Sequence, residues 1–237
     1  MTEIKRLSWS GLFILFAWPA ILNLIACRIA IPLLDSQDLF PIEFTYFICV
    51  GLLVLVPMFF AAIAMSLKET DTRDIKTMLT RMRIKKLTSR DVLWTCGTFI
   101  FLVLASFIIA KRVMPVFGLD ATPFFFQNMP LADDYRWILF VWPVFFFFNI
   151  FGEEFYWRGY IQPRQELLNR KWTWFVHGLL WACWHLPMGT DLIIASTPIF
   201  FILPAVVQIR KNTSIALIVH FVFGAFGFLS LSFGMVH

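Results

Sequence analysis

Long apolar runs alternate with short charged segments along the whole chain. A helix needs about 20 apolar residues to cross the ~30 Å hydrocarbon core of a bilayer, and most of the runs are close to that length. Backbone groups in lipid must be satisfied within the spanning segment, which favours helices over isolated strands. The pattern predicts an all-α polytopic integral membrane protein with about seven transmembrane helices. The runs without Asp, Glu, Lys or Arg are 7–27, 44–67, 92–110, 137–152, 172–190, 192–209 and 212–236.

The composition excludes an ordinary soluble enzyme. Hydrophobic residues make up 59% of the 237 residues and charged residues only 15%, whereas a soluble domain carries roughly 45–50% and about 25%. The net charge of +5 is spread over the segments between the runs, which argues against a nucleic-acid partner. No internal repeat or low-complexity linker divides the sequence. We therefore expect a single membrane domain over residues 1–237, with the lipid bilayer as a partner.

The basic residues predict an orientation. Of the 20 Lys and Arg residues, 16 fall in segments that lie inside if the N-terminus is cytoplasmic. This bias follows the positive-inside rule. We therefore expect the N-terminus in the cytoplasm and the C-terminus outside, and the short chain favours a prokaryotic plasma membrane.

The first run leaves a second interpretation open. Lys5 and Arg6 precede it, and the sequence Leu-Ile-Ala-Cys at 24–27 resembles the cleavage box of a bacterial lipoprotein signal. The run is long for the apolar part of a signal peptide and contains Asn23. A retained helix is therefore favoured over a cleaved signal.

Ionisable side chains inside the predicted spans indicate where chemistry could take place. Each costs roughly 2.5–3.5 kcal/mol on insertion scales and tends to face a cavity or a partner. The fourth run ends at Glu153, but three aromatic residues follow at once, which predicts a span that carries acidic side chains within the membrane. The candidates are Glu153, Glu154, Arg158, His177, His185 and His220.

Helical spacing separates the two glutamates. Glu154 and Arg158 are four residues apart and can form an ion pair on one helix face. Glu153 is turned about 100° away from that pair, and Asn149 lies one turn before it on the same stripe. Glu153 is therefore free to face another group.

Distances along the helices predict that the candidates meet. Glu153 and His185 are equally far from Asn169, near the expected turn between spans four and five, so an antiparallel hairpin brings them to similar depth. His220 is somewhat shallower in the last span. We expect Glu153, His185 and His220 to share one cavity that is reached from the cytoplasmic half of the membrane. His177, near the cytoplasmic end of its span, is expected to be a polar interfacial residue.

Three segments resemble the motifs of a known family. Residues 153–159, Glu-Glu-Phe-Tyr-Trp-Arg-Gly, resemble the EExxxR motif of the CPBP intramembrane proteases, which include type II CaaX prenyl endopeptidases and bacteriocin-processing or immunity relatives. Residues 181–185 are similar to the second motif, FxxxH, with Trp181 in place of Phe. The third motif is a His followed four residues later by Asn or Asp, and here Gly224 follows His220. The resemblance covers a predicted catalytic core at 137–237.

The resemblance implies that the chain hydrolyses a peptide bond of a membrane-associated peptide or lipidated protein. The family roles place water activation on Glu153, with His185 and His220 as its histidine partners. Glu154 and Arg158 then have supporting roles. Asn149 is a candidate for the contact to the oxyanion that Gly224 cannot supply.

Two mechanisms are open at this stage. Two histidines and a glutamate could bind zinc with a fourth position left open, as in catalytic zinc sites. In that case Glu153, His185 and His220 would be the ligands. The sequence has no HExxH pair of ligands on one helix, which favours a site without a cofactor.

Two other functions are compatible with the same pattern. Gly224 and Trp181 depart from the family motifs, as in a membrane interaction or immunity protein that has kept the fold and lost the chemistry. A small transporter could instead relay protons through Glu153 and the histidines. The lack of a repeat argues against the transporter.

Overall fold

The computed structural model describes residues 4–69, 74–120 and 122–235. Arg73, one of the basic residues that support the predicted orientation, lies outside these ranges. Of the described residues, 82% are helical and none lies in a strand. The predicted all-α class is confirmed.

Nine helices of six residues or more are present in the described residues. The run Ile138–Trp184 turns back at Arg170, which has a φ of 51°, and is treated as two helices. In chain order the helices are α1 (Trp9–Asp35), α2 (Ile42–Lys68), α3 (Ile75–Arg81), α4 (Ser89–Phe117), α5 (138–169), α6 (Thr173–Trp184), α7 (Thr190–Ala195), α8 (Thr197–Arg210) and α9 (Thr213–Ser232).

The predicted count of seven spans is not confirmed. Five helical runs in the described residues are long and apolar enough to cross a membrane. The fifth and sixth apolar runs fold into α6 and α8, which have 12 and 14 residues. At 1.5 Å per residue they are about 18 and 21 Å long, which is less than the hydrocarbon thickness. The fifth apolar run continues to residue 190, but its helix ends at His185, before Pro187 and Gly189. The length of an apolar run therefore overestimates the length of the helix.

One face of the bundle is held together by ion pairs. Glu166 in α5 accepts two hydrogen bonds of 2.8 Å from Arg83 and also pairs with Lys211. The backbone N–H of Thr213, at the start of α9, donates to the carbonyl oxygen of Arg83 at 2.9 Å. We call this the basic face and define it as residues 76–90, 164–172 and 208–214.

The other ends of the helices are covered by the segment between α4 and α5. The backbone N–H of Leu131 donates to the carbonyl oxygen of Ser232 at 3.1 Å, and that of Asn128 donates to Glu43 at 2.7 Å. The ring of Phe125 stacks on Tyr46 with centroids 3.8 Å apart. We call this side the opposite face and define it as residues 36–41, 118–120, 122–137 and 229–235.

Helix α1 is packed into the bundle. Leu12, Phe16 and Asn23 are buried, and the indole N–H of Trp18 donates to the hydroxyl of Tyr156 at 2.5 Å. These contacts join α1 to the helix that carries the two glutamates.

Candidate active site

The helix that carries the glutamates is wound unusually. α5 has π-helical turns over Phe148–Gly152 and again over Glu154–Ile161, and π-helical turns of five residues also occur in α1, α2 and α4. Gly152 brings this part of α5 close to α2, because a Cβ there would lie 2.8 Å from the carbonyl oxygen of Leu55. The backbone beside Glu153 is therefore fixed against a second helix.

Glu153 is held by two donors. Its Oε1 accepts a hydrogen bond of 2.8 Å from the amide of Asn149, the residue predicted to share its stripe. Its Oε2 accepts one of 2.9 Å from the indole N–H of Trp181 in α6. The residue is only 2% exposed. Each carboxylate oxygen has a further lone pair beyond these bonds, so the group can still accept from a third molecule.

Glu154 faces away from Glu153, toward a separate pair of partners. The predicted ion pair is present, with 3.2 Å between Glu154 Oε1 and Arg158 Nη1, and both side chains are fully buried. The same oxygen accepts from Nδ1 of His220 in α9 at 2.8 Å. Glu154 therefore connects α5 to α9 and orients the His220 ring.

Trp181 lies between the two acidic groups. Its ring is stacked under the guanidinium of Arg158, with 3.5 Å from Cζ to the ring centroid. Its indole N–H binds Glu153, and its backbone oxygen accepts from Nδ1 of His185 at 2.9 Å. The residue that departs from the family motif thus contacts both charged centres and one of the histidines.

His185 lies where α6 ends inside the bundle. A carbonyl oxygen can only accept, so its bond to Trp181 assigns the proton to Nδ1, and Nε2 is then an acceptor in the neutral ring. Asn23 of α1 donates to the carbonyl oxygen of Trp184 at 2.9 Å and fixes the backbone just before His185. Sequence reasoning missed this role of Asn23, although a buried amide in an apolar span is itself a signal.

A cavity of about 470 Å³ contains the candidate residues. Glu153, His185, His220 and Asn149 all line it. From Glu153 the lining continues along α5 to Trp142, and from His220 it continues along α9 to Leu231. Both paths run toward the opposite face. The sequence analysis expected access from the half of the membrane that holds the basic segments. The cavity instead opens away from the basic face, so that expectation is wrong.

His177 is not an interfacial residue. It is fully buried, and its Nδ1 lies 2.8 Å from Oε1 of Gln165, which is also fully buried. Its ring packs edge-on against Phe16. The expectation failed because the polar partner, Gln165, comes from α5, the preceding helix of the hairpin, and not from water.

Two histidines and a glutamate are residue types that catalytic zinc sites use. Within the described residues, no group of three or more His, Cys, Asp and Glu side chains is arranged to hold a metal ion. The proposed ligand set of Glu153, His185 and His220 therefore does not fit a zinc site in this arrangement.

Gly224 lies on the cavity wall one turn beyond His220. A Cβ at this position would be 3.1 Å from the ring of Phe146. The ring therefore crowds the place that the Asn or Asp of the third motif would need. The amide is absent, and a side chain at this position would require the Phe146 ring to shift.

One family comparison matches the chain. Residues 135–226 match the model of the family described as type II CAAX prenyl endopeptidase Rce1-like, and all three motif segments lie within this range. The resemblance inferred from those motifs is confirmed. The comparisons with curated proteins and with solved structures gave no significant match.

Proposed function

We propose that this integral membrane protein, whose residues 135–226 match the type II CAAX prenyl endopeptidase Rce1-like family, is an intramembrane endopeptidase with Glu153 as its general base. One observation carries the proposal. Three residues of the matched segment line the same cavity, namely Glu153, His185 and His220. The substrate is a membrane-associated peptide or protein. The cavity walls between the polar groups and the opposite face are mainly apolar, which suits an apolar segment of such a substrate.

The proposed reaction is addition of water to a peptide carbonyl. Glu153 removes a proton from the water, and the oxygen forms a bond to the carbonyl carbon while the carbonyl oxygen becomes an oxyanion. The tetrahedral intermediate then collapses, and the carbon–nitrogen bond breaks. The proton held by Glu153 passes to the leaving nitrogen. The products are a carboxylic acid and an amine.

The histidines have different roles in this scheme. His185 Nε2, an acceptor in the neutral ring, can accept a hydrogen bond from the water and orient it beside Glu153. His220 uses Nδ1 to bind Glu154, so when its ring is protonated, Nε2–H can donate to the oxyanion. A donor that points at the developing charge is a large contribution to acyl-transfer catalysis.

Glu154, Arg158 and Asn149 act as positioning residues. Glu154 orients His220, and Arg158 balances the charge of Glu154 in the buried layer. Asn149 fixes the carboxylate plane of Glu153 from one side, as Trp181 does from the other. The proposal uses no step through zinc, and a role for zinc is left to the experiment.

A decayed immunity protein or a proton-coupled transporter is not favoured. Two donors hold Glu153, which has no ion-pair partner among the described residues, on the wall of a cavity with room for a substrate. This arrangement suits a general base. A protein that had lost its chemistry has no need to keep it.

The test is cleavage of a fluorogenic library of membrane peptides, both CaaX-like and unprenylated, by purified protein in detergent. We expect wild type to cut at least one member and Glu153→Gln to cut none. Glu43→Gln is the matched control, because Glu43 is also fully buried but binds Asn128 outside the cavity. Cleavage by Glu153→Gln at the wild-type rate would refute the proposal. Loss of activity with a chelator, restored by zinc, would show that a metal is required.

A further inference from the structure

The candidate site is closed on the side of the basic face. Between the site and that face lies a layer of side chains with no exposed surface: Trp157, Ile161, Gln162, Thr213 and Ala216. The hydroxyl of Thr213 also donates to the carbonyl oxygen of Met82 at 2.8 Å. Met82 lies close to Gly159, because a Cβ built on Gly159 would be 3.2 Å from the Cβ of Met82. The segment after α3 is therefore packed over the layer.

The ion pairs of the basic face add to this closure. Glu166 binds Arg83 and Lys211, and Asp91 of α4 binds Arg210 at 2.9 Å. These contacts join α4, α5, the end of α8 and the segment after α3. A peptide that approached from the basic face would have to break both the ion pairs and the packed layer beneath them.

The cavity extends the other way. Its lining runs from the polar groups past Phe145, Phe146 and Trp142 of α5 and past Phe228 and Leu231 of α9. Pro123, Phe125 and Phe126 of the opposite face complete the wall. The path from the reacting groups to the end of the bundle is thus continuous and apolar on the side away from the basic face.

The charges indicate which side of the membrane this is. The positive-inside rule places the basic face in the cytoplasm. The opposite face and the adjoining helix ends carry more acidic than basic residues. The acidic residues are Asp35, Asp38, Glu43, Asp120, Asp133, Asp134 and Asp191, and the basic residues are Arg28, Lys111, Arg112 and Arg136. The cavity therefore opens toward the outer side.

We propose that the substrate enters from the outer side of the membrane, and that its class is an apolar peptide segment exposed there, such as an exported peptide or the outer part of a membrane-anchored protein. This inference rests on the proposed function. It excludes a prenylated C-terminus presented from the cytoplasm, because that substrate would meet the closed basic face.

The access side can be measured without any catalysis. Cys96 and Cys183 are exposed, so both are first changed to Ala, while Cys27 and Cys49 are buried. In this background Ser196→Cys places a thiol on the cavity wall, Lys86→Cys marks the basic face and Asp134→Cys marks the opposite face. Each variant is treated with a charged, membrane-impermeant thiol reagent in spheroplasts and in inside-out vesicles. Ser106→Cys, also on the cavity wall, replaces Ser196→Cys if that variant does not fold.

We expect the cavity thiol and Asp134→Cys to react in spheroplasts and Lys86→Cys to react in inside-out vesicles. The proposal is overturned if the cavity thiol reacts from the same side as Lys86→Cys, reacts equally from both sides, or reacts from neither. It is also overturned if Asp134→Cys reacts only in inside-out vesicles. Failure of the detergent cleavage assay refutes the proposed function and leaves the labelling result intact, so the two failures are distinguishable.

A second arm tests the substrate class directly. A cleavable apolar peptide with a sulfonated, impermeant fluorophore is added to spheroplasts and to inside-out vesicles. We expect cleavage in spheroplasts and loss of cleavage in inside-out vesicles until detergent opens them. Cleavage in intact inside-out vesicles at the spheroplast rate would overturn the proposal.

Discussion

The indole N–H of Trp181 donates a hydrogen bond of 2.9 Å to Oε2 of Glu153, and this bond joins α6 to α5 inside the cavity wall. A phenylalanine, the residue of the second family motif, has no such donor. The same indole ring is stacked under Arg158. Trp181 therefore fixes both the proposed base and the charge that balances its neighbour Glu154.

Changing Trp181→Phe separates these two contacts. Phe keeps an aromatic face for Arg158 and loses only the donor to Glu153. A hydrogen bond to a charged group is worth about 1.5–3 kcal/mol, so we expect kcat to fall about 10- to 100-fold while KM changes little. Steady-state kinetics in detergent provide the measurement.

The control for this change is Trp157→Phe. Trp157 is also fully buried, but its indole N–H has no hydrogen-bond partner among the described residues. We expect Trp157→Phe to leave kcat close to wild type. A kcat for Trp181→Phe equal to that of Trp157→Phe would contradict the positioning role.

The two adjacent glutamates should respond differently to the same substitution. Glu154→Gln removes the charge that compensates the fully buried Arg158, and breaking a buried pair typically costs about 3–5 kcal/mol. Glu153 has no such ion-pair partner among the described residues, so Glu153→Gln should abolish cleavage with a much smaller loss of stability. Unfolding in mixed micelles with increasing SDS compares the two free energies. Equal destabilisation by both changes would argue against the division of roles.

A pH dependence is expected at the end of α2, outside the spanning segment. Glu69 accepts hydrogen bonds from Arg164, Tyr160 and Arg81. Partial burial acts to raise its pKa, but the hydrogen bonds and charges of these partners outweigh it and hold the pKa below its ordinary value. A carboxyl with a lowered pKa in the folded state stabilises the protein above its unfolded pKa, about 4.3 for Glu, and loses that contribution as the pH falls through the folded pKa.

The measurement is the melting temperature of wild type and Glu69→Gln between pH 8 and pH 3. We expect the melting temperature of wild type to exceed that of Glu69→Gln by a constant amount above about pH 5, and this excess to shrink below it. Asp134→Asn, the same change on an exposed acid, serves as the control and should show no such trend. A wild-type advantage that grows on acidification would contradict the sign of the effect.

Sequence reasoning succeeded where the contacts are local. The Asn149–Glu153 bond and the Glu154–Arg158 pair each join residues four apart, so helical spacing alone predicts them. His185 and His220 could be placed at the same cavity as Glu153 because the number of residues to the nearest turn gives each side chain's depth in the membrane. These steps did not depend on how the helices cross.

The contacts that were missed join distant parts of the chain. The Trp181 bond to Glu153 spans 28 residues and the Asn23 bond to the Trp184 carbonyl spans 161, and each depends on a helix crossing that an apolar pattern does not encode. The side on which the cavity opens was missed for the same reason. The early end of α6 was different, because Pro187 and Gly189 are visible signals that a helix stops.

Gly224 offers a test of the departure from the third motif. A Cβ there would lie 3.1 Å from the Phe146 ring, whereas a Cβ at Gly227 meets nothing within 4 Å. Forcing atoms into a packed site typically costs about 1–3 kcal/mol. We therefore expect Gly224→Asn to lower both the melting temperature and kcat/KM, and Gly227→Asn to leave the melting temperature close to wild type.

Removing the crowding ring should reverse the effect at Gly224. In the Phe146→Ala background the amide of Gly224→Asn has room and can donate to the oxyanion, a contribution of up to about 100-fold in kcat for a well-placed donor. We expect the double variant to have a higher kcat than Phe146→Ala alone. The opposite outcome is that Gly224→Asn alone raises kcat in the otherwise wild-type protein. That result would show that the Phe146 ring does not block the amide, and it would contradict the explanation of Gly224 by packing.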